Sequence, residues 1–359
     1  MKKNLLYILL IVSIFSCKEK FPECETVKDM ITHIEDSIIT EVPKIARLCD
    51  SLYIENFRVS IDENTSLYVE REGKGNVIVL INGGPGGTHH YFHPWFSTLS
   101  EHHQIIYYDQ RGTGLSDFNE DIGYSFEQAV DDLEALRLKL QIKNWTVCGY
   151  SYGGGLAQFY ALKYPQHLNG LVLINSLPMF NDINFNDEQE KYISLSEKMK
   201  KEDIIKTYLN GEINFNAFLY NLALNGDWKR QNYLKPTSNE IARSALYEWI
   251  NDTDFNEIMS ESYSNYNFKD AFINFPIPTL IIEGLDDLTW GNKKGRIFRN
   301  NHPNAQFYQI NSSAHTPFKE KPEFFFTILE VFLFNLDEIP RKQILNWQNS
   351  QPKSYKKDN

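Results

Sequence analysis

Seven short runs of β-branched, aliphatic and aromatic residues recur from about residue 61 onward: SLYVE, NVIVLI, QIIYYD, WTVCG, GLVLIN, PTLIIEG and AQFYQI. Several are apolar without alternation, the pattern of strands buried on both faces of a mostly parallel sheet. Parallel neighbours cannot be joined by a tight turn, so each needs a crossover, usually a helix. Helical patterns stand where crossovers belong, as in FEQAVDDLEALRLKL at 126–140 and SYGGGLAQFYALKYP at 151–165. This alternation restricts the chain to an α/β, doubly wound core. It stops near Ser176. Residues 177–270 show helical stretches, such as NEIARSALYEWI, and no convincing strand. An all-helical insertion between two parts of one sheet reads as a cap over the sheet edge.

The 359 residues suit about two average domains, or one large α/β domain with an insertion. With 42% hydrophobic residues, 19 glycines, 14 prolines and 4 cysteines, the chain is not disordered, collagen-like or a disulfide mini-scaffold. A net charge of −11 excludes general nucleic-acid binding through a basic surface. There is no phosphate-loop signature and no dinucleotide fingerprint, so no cofactor is expected.

The chain opens MKKNLLYILLIVSIFSC. Lys2 and Lys3 precede an apolar run from Leu5 to Phe15. A membrane-spanning helix takes about 20 apolar residues, so this run reads as the core of a secretory signal peptide. Ser16 followed by Cys17 resembles a bacterial lipoprotein signal. The resemblance implies cleavage after residue 16 and lipid on Cys17. The protein would then be exported and held at a periplasmic or cell-surface membrane face by its lipid. Cleavage would leave 34 basic against 47 acidic residues, since Lys2 and Lys3 are lost and no acid is. Cys148, inside WTVCG, reads as a buried core thiol. Cys24 and Cys49 then remain as a pair that an oxidising compartment would allow to bridge. Such a bridge would contribute about 3 kcal/mol.

The strand WTVCG runs directly into GYSYGG and a helical pattern. Ser151 is the centre of a G-x-S-x-G, and strand–turn–helix context makes that pentapeptide a nucleophile elbow. A serine hydroxyl is a weak nucleophile at neutral pH and needs an adjacent base. In such an elbow the chain order is Ser, then acid, then His. His302 precedes AQFYQI and falls at the wrong end of the sheet. His315 follows that strand, beside the elbow, and is the expected base. The orienting acid should follow PTLIIEG. The G-x-x-D spacing from Gly284 selects Asp287, with Asp286 as competitor and Glu283 as the weaker third. An oxyanion hole needs two backbone N–H groups. Tyr152 should give one. The NGGPGG loop, Asn82 to Gly87, should give the other from Gly84, with Gly83 as alternative.

NGGPGG, DQRGTGLSD at 109–117, GYSYGG and the late Asp and His together resemble the α/β-hydrolase fold. Within it, the chain is similar to the proline iminopeptidase group of serine peptidases, over roughly residues 61–335. That group carries HGGPG, DQRGxGxS and GGSWGG, with a helical cap after the sixth core strand. The resemblance implies a mostly parallel sheet flanked by helices, and scaffold roles for Asp109 and Arg111. It also implies a prolyl-aminopeptidase-like activity. The departures fall at Asn82, Tyr150 and Tyr152, which replace His, Gly and Trp. Cap glutamates of the group hold a substrate's amino terminus, one of them in W-x-x-W-E. LYEWIN at 246–251 keeps Trp249, but Leu246 and Ile250 replace the first Trp and the Glu. Glu248 and Asp252 are the candidate substitutes.

His89, His90 and His93 lie past the glycine loop in an aromatic context without a nearby acidic ligand, so no metal is expected. His102 and His103 read as solvated. The expected organisation is 1–16 signal, 17–60 tether and helical segment, 61–176 and 271–340 catalytic core, 177–270 cap, and 341–359 a C-terminal tail, of which QPKSYKKDN at 351–359 reads as frayed. The expected reaction is hydrolysis of a small peptide through Ser151, His315 and Asp287. A carboxylic ester is the alternative substrate. A non-catalytic surface-anchored binding protein is the remaining one.

Overall fold

The computed structural model describes residues 38–48, 54–118, 123–180, 195–230, 232–252, 254–289, 294–336, 339–352 and 354–357. The signal segment, Cys17, Cys24 and Cys49 lie outside these residues. Eight strands form one sheet: β1 (Glu55–Ser60), β2 (Ser66–Gly73), β3 (Asn76–Ile81), β4 (His103–Tyr108), β5 (Trp145–Tyr150), β6 (Leu168–Ile174), β7 (Thr279–Gly284) and β8 (Gln306–Ile310). Their spatial order is β1-β2-β4-β3-β5-β6-β7-β8. β2 runs antiparallel to β1 and β4, and all other pairs are parallel. β5 is buried along its whole length, as its unalternating apolar run requires.

Crossover helices cover the sheet. In α1 (Phe126–Lys139) Val130, Leu133 and Leu136 are buried, and Ser125 caps the start by accepting from Gln128 N. α2 (Tyr152–Lys163) is apolar nearly all round and buried from Tyr152 to Leu162. Between β6 and β7 the described residues hold α3 (Leu195–Leu209), α4 (Phe215–Leu224), α5 (Ser238–Arg243), a π turn (Ser244–Glu248) and α6 (Phe255–Ser264). A capping box between Thr237 and Glu240 starts α5. After β7 come α7 (Lys294–Asn301), α8 (Pro317–Glu320), α9 (Pro322–Phe334) and α10 (Arg341–Asn349).

Three expectations are corrected. Within 17–60, residues 38–48 contain no helix, and Glu55–Ser60 is a strand. Its inward residues are Phe57 and Val59, and it pairs with β2 to form the sheet edge. The tail is docked. Ile344 and Trp347 of α10 are buried, Trp347 packs edge-on to Phe275 at 4.9 Å, and Lys356 bridges to Tyr266. His103 opens β4 and is buried, its ring 5.8 Å from that of Phe334.

Candidate active site

β5 ends at Tyr150 and α2 begins at Tyr152, with one residue between them. Ser151 makes that turn with φ 53° and ψ −121°, a strained backbone for a residue with a Cβ. Its N–H donates to Ile174 O at 2.9 Å and its carbonyl accepts Leu177 N at 2.7 Å, so the strain is held from both sides. The flanking glycines are required by contact. A Cβ on Gly149 would come within 2.3 Å of Gly153 O, and one on Gly153 within 2.3 Å of Ile81 O.

The structure brings three of the expected residues together. His315 Nε2 lies 2.8 Å from Ser151 Oγ, and His315 Nδ1 lies 2.9 Å from Asp287 Oδ2. A carboxylate only accepts, so Nδ1 carries the proton and Nε2 is left to accept from the serine hydroxyl. All three side chains are buried. Asp287 is held further. Asn175 Nδ2 donates to its Oδ2 at 2.7 Å, and Thr289 N donates to its Oδ1 at 2.9 Å. Asp286 is exposed, with its N–H on Ser313 O. Glu283 is buried in β7, and His302 stacks on Phe272 at 4.1 Å.

The glycine loop follows β3, the strand next to β5. Gly83 lies against the elbow: a Cβ there would come within 3.2 Å of Ser151 Cβ. Gly84 has φ 135°, a conformation open to glycine. Among the described residues, the N–H groups of Gly83, Gly84 and Tyr152 donate to no protein acceptor. The loop is tied down by Asn82 Nδ2 on Tyr108 O at 2.9 Å and by Gly87 N on Gly83 O at 3.1 Å. The π turn pins it from the cap: Thr88 N donates to Glu248 O, and Trp249 bridges to Gly87.

The candidate substrate residues diverge. Glu248 accepts Lys319 Nζ at 2.8 Å and Ser244 Oγ at 2.8 Å. Trp249 lies edge-on to Tyr91 at 5.8 Å. Asp252 instead faces the DQRGTG loop, accepting from Tyr124 OH while its N–H donates to Gly112 O.

Beneath the loop lies a buried polar cluster. Asp109 Oδ1 accepts His89 N at 2.8 Å and faces His89 Nδ1 at 2.9 Å, while its Oδ2 accepts Leu115 N. Glu70 lies 2.8 Å from His93 Nε2 and accepts Tyr68 OH at 2.7 Å. Glu70 Oε1 also sits 3.3 Å from His89 Nε2, an ion pair. The histidines therefore do have acidic partners, which sequence proximity hid. Burial alone would lower the His89 pKa, but Asp109 and Glu70 raise it to about 9. Burial and the His89 charge push His90 down to about 3. Arg111 is bidentate to Asp132 and reaches Asp62.

Sequence reasoning missed Asn175, Lys319 and Glu320. Glu320 Oε2 accepts Ala314 N at 2.6 Å and Ser313 Oγ at 3.1 Å, bracing the turn that carries His315. Burial is the first cause of its raised pKa. Only Asn175 left a signal, a polar residue ending an apolar strand.

A strand-borne serine with a buried His and Asp behind it, beside a glycine loop, belongs to one class of proteins. Residues 76–322 match the family model described as alpha/beta hydrolase fold, and the chain belongs to that family. A cis-3-alkyl-4-alkyloxetan-2-one decarboxylase of Shewanella oneidensis is 27% identical over 264 residues, covering 69% of this chain and 79% of that protein. A proline iminopeptidase of Saccharolobus solfataricus is 26% identical over 271 residues, covering 73% and 86%. A solved thermophilic esterase of Thermogutta terrifontis aligns with a TM-score of 0.62 over 79% of this chain and 100% of its own, at 18% identity. The resemblance to proline iminopeptidases is thus shared by curated relatives, and the structural likeness is one of fold.

Proposed function

We propose that the protein is a serine hydrolase working through an acyl-enzyme. The observation that carries this is the unbroken chain Asp287–His315–Ser151, at 2.9 and 2.8 Å, beside the glycine loop. Ser151 Oγ attacks the carbonyl carbon as its proton passes to His315 Nε2. Asp287 holds the imidazole and stabilises its cation. The N–H groups of Tyr152 and of Gly84 or Gly83 receive the oxyanion. His315 then gives its proton to the leaving nitrogen or oxygen. Water, deprotonated by the same imidazole, attacks the acyl-enzyme, and the acid departs as Ser151 regains its proton.

The first substrate reading is a peptide losing its N-terminal residue, supported by the proline iminopeptidases among the relatives. The second is a carboxylic ester or blocked amide, favoured by the engagement of Glu248 with Lys319. Fluorophosphonate labelling tests the chemistry. An adduct on Ser151, and loss of more than about 10³-fold activity in Ser151→Ala, are expected. No adduct would favour a binding protein of the same fold. We further infer export with lipid on Cys17, which mass spectrometry of the mature N-terminus checks.

A further inference from the structure

We propose that Glu320 is a positioning residue that ties the seat of His315 to the cap: one of its carboxylate oxygens holds the turn carrying the base, and the other holds cap backbone. The inference rests on the serine-hydrolase reading and names a further residue of that site. Two sets of partners hold the turn. Its carbonyls are met from the strand ends, by Asp286 N on Ser313 O at 2.9 Å and by Asn175 Nδ2 on Ala314 O at 3.1 Å. Its donors go to Glu320 Oε2, Ala314 N at 2.6 Å and Ser313 Oγ at 3.1 Å. Glu320 Oε1 accepts Tyr233 N, from the cap between α4 and α5, at 2.5 Å. The N–H of Leu234 donates to the same carboxyl. A carboxylate offers about four lone-pair sites, and these donors use them. Tyr233 and Leu234 are 46% and 65% exposed, so the attachment runs through backbone rather than through buried side chains.

α8, directly after His315, is where the link is fixed. Phe318 is fully buried, with Tyr150 at 5.3 Å and Phe92 at 6.0 Å, which anchors the short helix beside the elbow. Lys319 takes one cap segment, the π turn, through Glu248 at 2.8 Å. Glu320 takes the other. A general base must lie about 2.6–3.2 Å from the proton it removes, and His315 Nε2 stands 2.8 Å from Ser151 Oγ. Charge-assisted hydrogen bonds such as those of Glu320 are the strong ones. Without the cap N–H groups, water takes Oε1 and the carboxylate is free to turn away from Ala314. The turn then loosens, and the placement of the base with it.

The test follows fluorophosphonate labelling of Ser151 in the full chain, because its rate depends on the base and needs no assigned substrate. End-point labelling counts the folded sites, so the rate constant is read per site. Glu320→Ala should lower that rate constant about tenfold, and Glu320→Gln nearly as much, since a carboxamide has one acceptor oxygen for two sides. With p-nitrophenyl butyrate the loss should fall on kcat, with KM nearly unchanged. Tyr233→Pro deletes the N–H that meets Oε1 and should slow labelling about fivefold, whereas Tyr233→Ala keeps that N–H and should stay within about twofold. In the Glu320→Ala background, Tyr233→Pro should add less than about twofold, because two changes acting through one link are not additive. Should Glu320→Ala fail to fold by circular dichroism, the same comparison in Glu320→Gln should show the Tyr233→Pro effect reduced. A labelling rate unmoved by loss of the Glu320 carboxylate, a loss confined to KM, or a Tyr233→Pro effect that is absent or equal with and without Glu320 overturns the inference. A missing Ser151 adduct in the wild type would instead sink the serine-hydrolase reading beneath it.

Discussion

Asp287 Oδ2 accepts two hydrogen bonds at once, from Asn175 at 2.7 Å and from His315 at 2.9 Å. Asn175 is fully buried and its other amide atom accepts Gly284 N, so it joins the ends of β6 and β7. In the proposed reaction it would act through Asp287, as a positioning residue. A hydrogen bond to a charged group contributes about 1.5–3 kcal/mol. Asn175→Ala should therefore lower kcat/KM by about tenfold or more, at 1.4 kcal/mol per decade. The loss should fall on kcat with KM nearly unchanged, because Asn175 touches Asp287 and the strand ends and not the substrate. An unchanged kcat would mean that Asn175 serves packing alone.

At the scale of elements, the glycine loop is held from below by the 3₁₀ turn His89–Phe92, whose first residue bridges Asp109 and Glu70. The native state holds the His89 proton up to about pH 9, while an unfolded chain releases it near the ordinary value of 6.5. Between those values the folded state binds more protons, so stability is full below about pH 6.5 and falls as pH rises toward 9. Thermal denaturation between pH 6.5 and 9.5 should show Tm declining, and His89→Gln should flatten the decline. The elements were unequally legible. β3, β5, β6 and β7 announce themselves because burial on both faces demands unbroken apolar runs. β1 does not, because an edge strand needs only Phe57 and Val59 turned inward. α10 hides for the same reason, with Ile344 and Trp347 as its buried residues. The elbow was legible because strand, close-approach glycines and helix are all local. Glu70 and the part played by Asn175 were not, and Asp109 entered only as scaffold through the resemblance, since their partners lie far off in sequence, in the His89–Phe92 turn, at His93 and after β7.

For the molecule as a whole, sheet order explains how residues so far apart in sequence meet. Strands β5, β6, β7 and β8 are consecutive neighbours, all parallel, so their carboxyl ends share one edge. Ser151, Asn175, Asp287 and His315 each follow one of them in that order. β3 on the other side of β5 delivers the glycine loop to the same edge. Such an arrangement separates catalysis from the opposite side of the fold, where α10 packs. Trp347 there is 6% exposed and meets Phe275 at 4.9 Å. Its truncation to alanine leaves a cavity, a change that costs about 3–5 kcal/mol for a large aromatic. Trp347→Ala should lower the urea midpoint accordingly, with kcat per titrated site held within about twofold, because the strand ends that set the site are untouched. A fall in kcat without a fall in midpoint would mean that α10 is coupled to the catalytic edge, against the division of labour the sheet order implies.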